Sequence, residues 1–168
     1  FGFEPYTTPV LAAGFTYKTE DKALAHAPYR AILAIEVIEH LAEPRSFVAS
    51  ALAMTDTLIF TTELLSSNSV GKDWWYYSTE TGQHIGFHTR QSLAHLAAEQ
   101  GCMYDSCNKR GLHIFTRSPT DMRIFRLVAG RKRALLMHPI GRLVSRLSGK
   151  KSLLMSDHLE AKKALSTG

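Results

Sequence analysis

This 168-residue chain has few of the features that mark secreted or membrane proteins. It holds two cysteines, Cys102 and Cys107. They are close together within one predicted strand, a spacing that suits neither a disulfide nor a zinc knuckle. That usage fits a reducing, cytoplasmic compartment. No run reaches the roughly 20 consecutive apolar residues that a membrane-spanning helix needs. No basic-then-apolar leader opens the chain, and there is no internal repeat or low-complexity tract. What is present is ordinary globular composition, 45% hydrophobic and 21% charged, which argues against wholesale disorder.

Charge is unevenly spread. Residues 1–116 carry 8 Lys and Arg against 12 Asp and Glu, whereas residues 117–168 carry 12 against 3. A mildly acidic body therefore precedes a strongly basic tail, and the two are read separately.

Apolar runs alternate with helical patterns along the body, the arrangement expected of an α/β fold with a mostly parallel sheet. The continuous run from Ala31 to Ile35 predicts a central strand over 31–36, buried on both faces. Pro44 can open a helix in which Phe47, Val48, Ala51 and Leu52 recur at helical spacing. Thr57 to Thr62 is β-branched and aromatic and predicts the next strand. Thr89 is a good N-cap for a helix with Leu93, Leu96 and Ala97 on its apolar face, closed by Gly101. Runs 102–107 and 112–116 flank a turn at 108–111 and predict an antiparallel hairpin. In the tail, helices are expected from Asp121 to Met137, over 140–148, and briefly after Ser156 or Asp157.

Ligands in open α/β sheets bind beyond the carboxyl ends of the strands. Glu36, Val37, Ile38, Glu39 and His40 follow an apolar strand directly, so they lie either at such a site or on an ordinary polar surface. Thr61, Thr62 and Glu63 share the same rim by topology. Trp74, Trp75, Tyr76 and Tyr77 are adjacent, so they cannot all face one core. They read as a lid or a substrate wall, with core packing as the alternative.

At these residues the chain resembles class I S-adenosylmethionine-dependent methyltransferases, in particular the group typed as methyltransferase 23. EVIEHL with Pro44 is similar to that family's post-strand motif. Phe1 to Pro5 is similar to the end of its second strand, where Glu4 would bind the cofactor's ribose hydroxyls. Trp74–Tyr77, Gly82–His84 and Phe87–Thr89, followed by Ser92 and Leu93, resemble a segment of one subgroup. The hairpin ending at Leu112–Phe115 resembles the fold's last two strands, and Lys151–Leu153 with Ser156–Asp157 resembles that subgroup's tail. The resemblance implies a Rossmann-like sheet, a partial methyltransferase catalytic domain over 1–118, and a basic helical extension over 119–168. It also implies S-adenosyl-L-methionine as cofactor, held by Glu4, Glu36, Val37 and Ile38.

Two departures from the family stand out. Arg30 follows Tyr29 where the family usually has an acidic residue, and the glycine-rich loop of the first strand is not found, since Gly2 and Gly14 stand apart. Sequence order puts that strand and loop upstream of Phe1. Residues 1–168 by themselves are therefore expected not to bind the cofactor with useful affinity.

Methyl transfer to a hydroxyl benefits from a base, and imidazole has a suitable intrinsic pKa. His84 and then His40 are the catalytic candidates, with Tyr76, Tyr77, Gln83 and His88 expected to bind the small-molecule acceptor. Aromatic and amide groups suit a sugar-like acceptor, by family analogy. A metal on His84 and His88 lacks a third ligand at a recognised spacing, so no metal is expected. The competing function class is a binding module whose basic tail contacts nucleic acid or an anionic membrane. The tail has no named nucleic-acid motif, and Phe125 is its only aromatic residue.

Overall fold

The structure, a computed structural model, describes residues 25–65, 74–77, 80–107 and 111–129. Its described elements all fall within one compact unit, Pro28–Leu135. In chain order they are β1 (Ile32–Ala34), a 3-10 turn (Ile38–His40), α1 (Pro44–Met54), β2 (Thr57–Thr61), a second 3-10 turn (Trp75–Tyr77), α2 (Arg90–Glu99), β3 (Met103–Cys107), β4 (Leu112–Thr116) and α3 (Pro119–Val128).

Four strands form one mixed sheet in the order β1-β2-β4-β3. β1 runs parallel to β2 with Leu33 opposite Ile59. β4 is antiparallel to both β2 and β3, so the later strand of the hairpin inserts between the earlier one and β2. Side-chain alternation then divides the core. Leu58, Phe60 and Phe115 pack with Val48 and Leu52 of α1 and with Leu93 and Ala97 of α2. Ile59 and Ile114 point the other way, against Met122 and Phe125 of α3.

The helix termini follow their local chemistry. Pro44 opens α1. Thr89 and Ser92 form a reciprocal capping box on α2, with bonds of 3.0 and 2.9 Å. Gly101 takes the left-handed conformation, φ +65°, just beyond α2. α3 starts two residues earlier than predicted, because Ser118 caps it and Pro119 is tolerated in a first turn. It is described as far as Val128; the later helices expected in the tail lie outside the described residues, as do residues 108–110 of the expected turn.

One sequence expectation needs correction. The strand at 31–36 is shorter, Ile32–Ala34, and among the described residues it pairs on one side only, with β2. Nor is the run buried on both faces: Leu33 is 67% exposed and Ile35 54%. On that side α3 packs against Ile114 and Ile59, and Leu33 is not part of this cluster. The strand ends where Glu36 adopts φ +53°, a left-handed conformation costly for a residue with a Cβ.

At the opposite end of the sheet, Arg30 makes a paired salt bridge with Asp121 in the first turn of α3. This gives the unexpected basic residue a structural role. Asp121 also accepts from the Thr57 hydroxyl at 2.6 Å, and Thr57 bonds Thr116 at 2.8 Å. The Arg30 and Thr57 hydrogen bonds hold the Asp121 carboxyl down at about 2, against an ordinary 3.8. A carboxyl whose pKa falls on folding contributes stability at neutral pH and loses it as pH drops from 3.8 toward 2. Asp121→Asn is therefore expected to destabilise the protein at neutral pH. Its deficit in urea denaturation should shrink steadily across that acid window. A deficit independent of pH would show that this carboxylate does not titrate as described.

Two cations at the start of the basic tail are used internally. Arg117 donates to the carbonyls of Leu52 in α1 and Gln100 after α2, at 3.0 and 3.1 Å. Arg126 pairs with Asp105 of β3.

Candidate active site

The carboxyl ends of β1 and β2 carry the polar residues singled out above. Glu36 is fixed from both ends by Thr61: its N–H donates to Thr61 Oγ1 at 2.8 Å, and the same hydroxyl donates to Glu36 Oε1 at 2.7 Å. The neighbouring threonine, Thr62, is buried and bonds the Tyr76 hydroxyl at 3.1 Å. His113, fully buried, donates from Nε2 to the Thr62 carbonyl at 2.9 Å and accepts at Nδ1 from the Tyr104 hydroxyl at 3.2 Å. It is a satisfied core histidine.

Beyond Glu36 the chain makes the Ile38–His40 turn, and a distant loop docks on it. The N–H groups of Ile85 and Gly86 both donate to the Glu39 carbonyl, at 2.9 Å. The approach is close because residue 86 is glycine: a Cβ there would stand 3.3 Å from the Ile38 carbonyl oxygen. This docking brings His84 to His40, with ring centroids 4.8 Å apart and edge to face.

Both imidazoles are held by main-chain carbonyls. His40 Nδ1 bonds the Gln83 carbonyl at 2.9 Å, and His84 Nδ1 bonds the Tyr76 carbonyl at 2.6 Å. A carbonyl can only accept, so each Nδ1 carries the hydrogen and each Nε2 keeps a lone pair in the neutral ring. Neither assignment was available from sequence.

Close to both rings lies a carboxylate of unusual environment. Glu39 is fully buried, and neither of its side-chain oxygens accepts a hydrogen bond of ordinary geometry. Burial pushes its pKa up. Its own backbone amide and the nearby Tyr76 hydroxyl oppose the rise in part, and the charge of Glu36 adds to it. One ligand atom from each of Glu39, His40 and His84 lies within 4.8 Å of the other two. The EVIEH spelling signals polarity here, but not which carboxylate is buried.

The aromatic run divides. Tyr76 is buried, and burial pushes its hydroxyl up to about 12, opposed by the Thr62 bond. Trp75 beside it is 71% exposed. Tyr77 packs edge to face with Trp74 and with Phe87, at centroid distances of 5.2 and 5.0 Å. The segment is therefore part core and part surface. Gln83 is exposed and reaches the cluster through its carbonyl. His88 is buried next to Gly86, and its Nε2 has no hydrogen bond of ordinary geometry. Burial lowers its pKa, partly offset by the Ile38 carbonyl. Glu4 lies outside the described residues, so its relation to Glu36 does too.

Residues 2–106 match the family model described as a methyltransferase domain. No curated protein matches the chain. Among solved structures, the magnesium protoporphyrin IX methyltransferase ChlM from Synechocystis PCC 6803, with bound SAH, is similar at 17% identity and a TM-score of 0.38. The match covers 61% of this chain and 51% of that one, so the chain spans about half the length of that structure.

Proposed function

The chain belongs to the class I S-adenosylmethionine-dependent methyltransferase family, and from that premise we propose that the protein methylates an oxygen or nitrogen of a small, sugar-like molecule. The observation that carries this reading is the paired orientation of His40 and His84. Each ring is locked through Nδ1, which leaves its Nε2 lone pair for an acceptor's proton.

S-adenosylmethionine supplies a methyl group on a positively charged sulfur and so arrives already activated. The described residues fit their share of its binding: Glu36 offers a carboxylate fixed by Thr61, and exposed Ile35 offers an apolar face. With Val37 and Ile38 they would form the cofactor side of the rim. The protein's own work is alignment and removal of a proton. His84 Nε2 would take the acceptor hydroxyl's proton, with His40 as its neighbour. Gln83, Tyr76 and Tyr77 would border the acceptor, and His88 would support the loop from beneath.

A cytoplasmic setting accords with the cysteine usage. Among the described residues no helix is long and apolar enough to cross a membrane. Arg117 and Arg126 already have partners within the chain, which favours the enzyme over a tail-centred binding module.

The test uses the full protein and S-adenosylmethionine labelled on the methyl group. Label is expected in polyhydroxylated small acceptors, and not in nucleic acid or in vesicles containing anionic lipid. Label confined to nucleic acid, or absent from every small acceptor tried, would overturn the proposal.

A further inference from the structure

We infer that Glu39, His40 and His84 form a binding site for one divalent transition-metal cation of the Mn2+, Co2+ or Zn2+ type. The inference deepens the reading just given, because it places the cation on the acceptor side of the same site.

Three independent features support it. First, one ring nitrogen of each histidine and one carboxylate oxygen of Glu39 already lie within 4.8 Å of one another. Donors about 2.0–2.2 Å from a shared ion stand about 3–4 Å apart, so small side-chain adjustments close the site. Second, Glu39 is fully buried and neither carboxylate oxygen has a hydrogen bond of ordinary geometry, its own amide and the Tyr76 hydroxyl being nearby polar groups. Burying such a group with so little hydrogen bonding is costly, and a cation would offset that cost. Third, both histidines commit Nδ1–H to a backbone carbonyl, Gln83 for one and Tyr76 for the other. That is the outer-shell arrangement of metal-binding histidines, which fixes the ring and presents Nε2 to the ion.

Two imidazoles and a carboxylate suit transition cations better than Mg2+ or Ca2+, which prefer all-oxygen sets. In the sequence, His84 and His88 lack a third ligand at a recognised spacing. The fold pairs His84 with His40 instead, and Glu39 is the third. Three protein ligands leave coordination positions open. An acceptor hydroxyl taken up there would be polarised and lose its proton to solvent water as its oxygen bonds the methyl carbon and the C–S bond breaks, its electron pair staying on sulfur. With the cation bound the imidazoles would act as ligands, so the cation holding the acceptor would replace direct proton uptake by His84 Nε2.

The metal-free full protein should be titrated separately with Co2+, Mn2+ and Zn2+ by calorimetry, with visible absorption followed for Co2+. One equivalent per chain is expected, with cobalt bands indicating nitrogen and oxygen ligands. His84→Ala and His40→Ala should each weaken binding by at least about 10–100-fold. Glu39→Gln, which keeps the side chain's size, should do the same in a sample shown by circular dichroism to be folded. His95→Ala removes an exposed histidine paired with Glu99 and should change nothing. Absence of binding, or binding unaltered in the three ligand variants, would overturn the inference. If methyl transfer survives complete metal removal, the catalytic part of the inference fails and the proposed function stands. Cation binding that follows the variants, without methyl transfer to any acceptor, supports the site and sinks the proposed function alone.

Discussion

His84→Ala is expected to lower turnover with the physiological acceptor by about 10²–10⁴-fold, the range typical of a positioned proton-transfer group. Cofactor affinity should change little. The reason is placement: His84 hangs on the loop whose N–H groups at 85 and 86 grip the Glu39 carbonyl, whereas the cofactor carboxylate proposed, Glu36, is held by Thr61 of β2. The ring also touches Tyr76, with centroids 4.4 Å apart, so its loss opens space next to a buried side chain. Two readouts separate chemistry from collapse. Turnover at saturating acceptor should fall with kcat/KM, and cofactor binding by calorimetry should stay near wild type. An unchanged turnover would remove His84 from the mechanism and leave His40 as the next candidate.

The second large effect concerns stability. Phe60→Ala should cost about 3–5 kcal/mol, as expected for emptying a packed aromatic site. Phe60 is fully buried at the centre of the larger core and meets Phe115 edge to face at 4.8 Å and the His113 ring, stacked, at 5.2 Å. Its removal deprives β2, β4 and the helices α1 and α2 of their shared contact. Against a typical domain stability of about 5–15 kcal/mol, the variant would be close to unfolding at ordinary temperature. Urea denaturation measures the loss directly. A loss below about 1 kcal/mol would mean that the core refills the cavity and that Phe60 is not its keystone.

The elements with short-range signals were readable in advance. α1 is announced by Pro44 and its apolar spacing, α2 by Thr89, its apolar face and Gly101, and β2 by its β-branched run. The hairpin of β3 and β4 was equally plain. β1 was the weak point. Its apolar residues spell burial on both faces, yet Leu33 and Ile35 are exposed, because burial depends on which helix covers which strand. Arg30 reads as a departure from the family until Asp121, 91 residues away, is seen to hold it.

The candidate site shows the same division. The residue types were visible in sequence: the EVIEH run, the histidines at 84 and 88, and the aromatics between 74 and 77. Sequence alone determined that an α/β fold of this family carries polar groups just past an apolar strand, since strand and helix periodicity are properties of neighbouring residues. Only the tertiary structure decided that His84 rather than His88 meets His40, and that Glu39 rather than Glu36 is buried close to them. Those choices rest on hydrogen bonds to the main chain across long separations, such as the His40 ring to the Gln83 carbonyl over 43 residues. Local pattern holds no record of such contacts, because they form only when packing brings two rims of the chain within hydrogen-bonding distance.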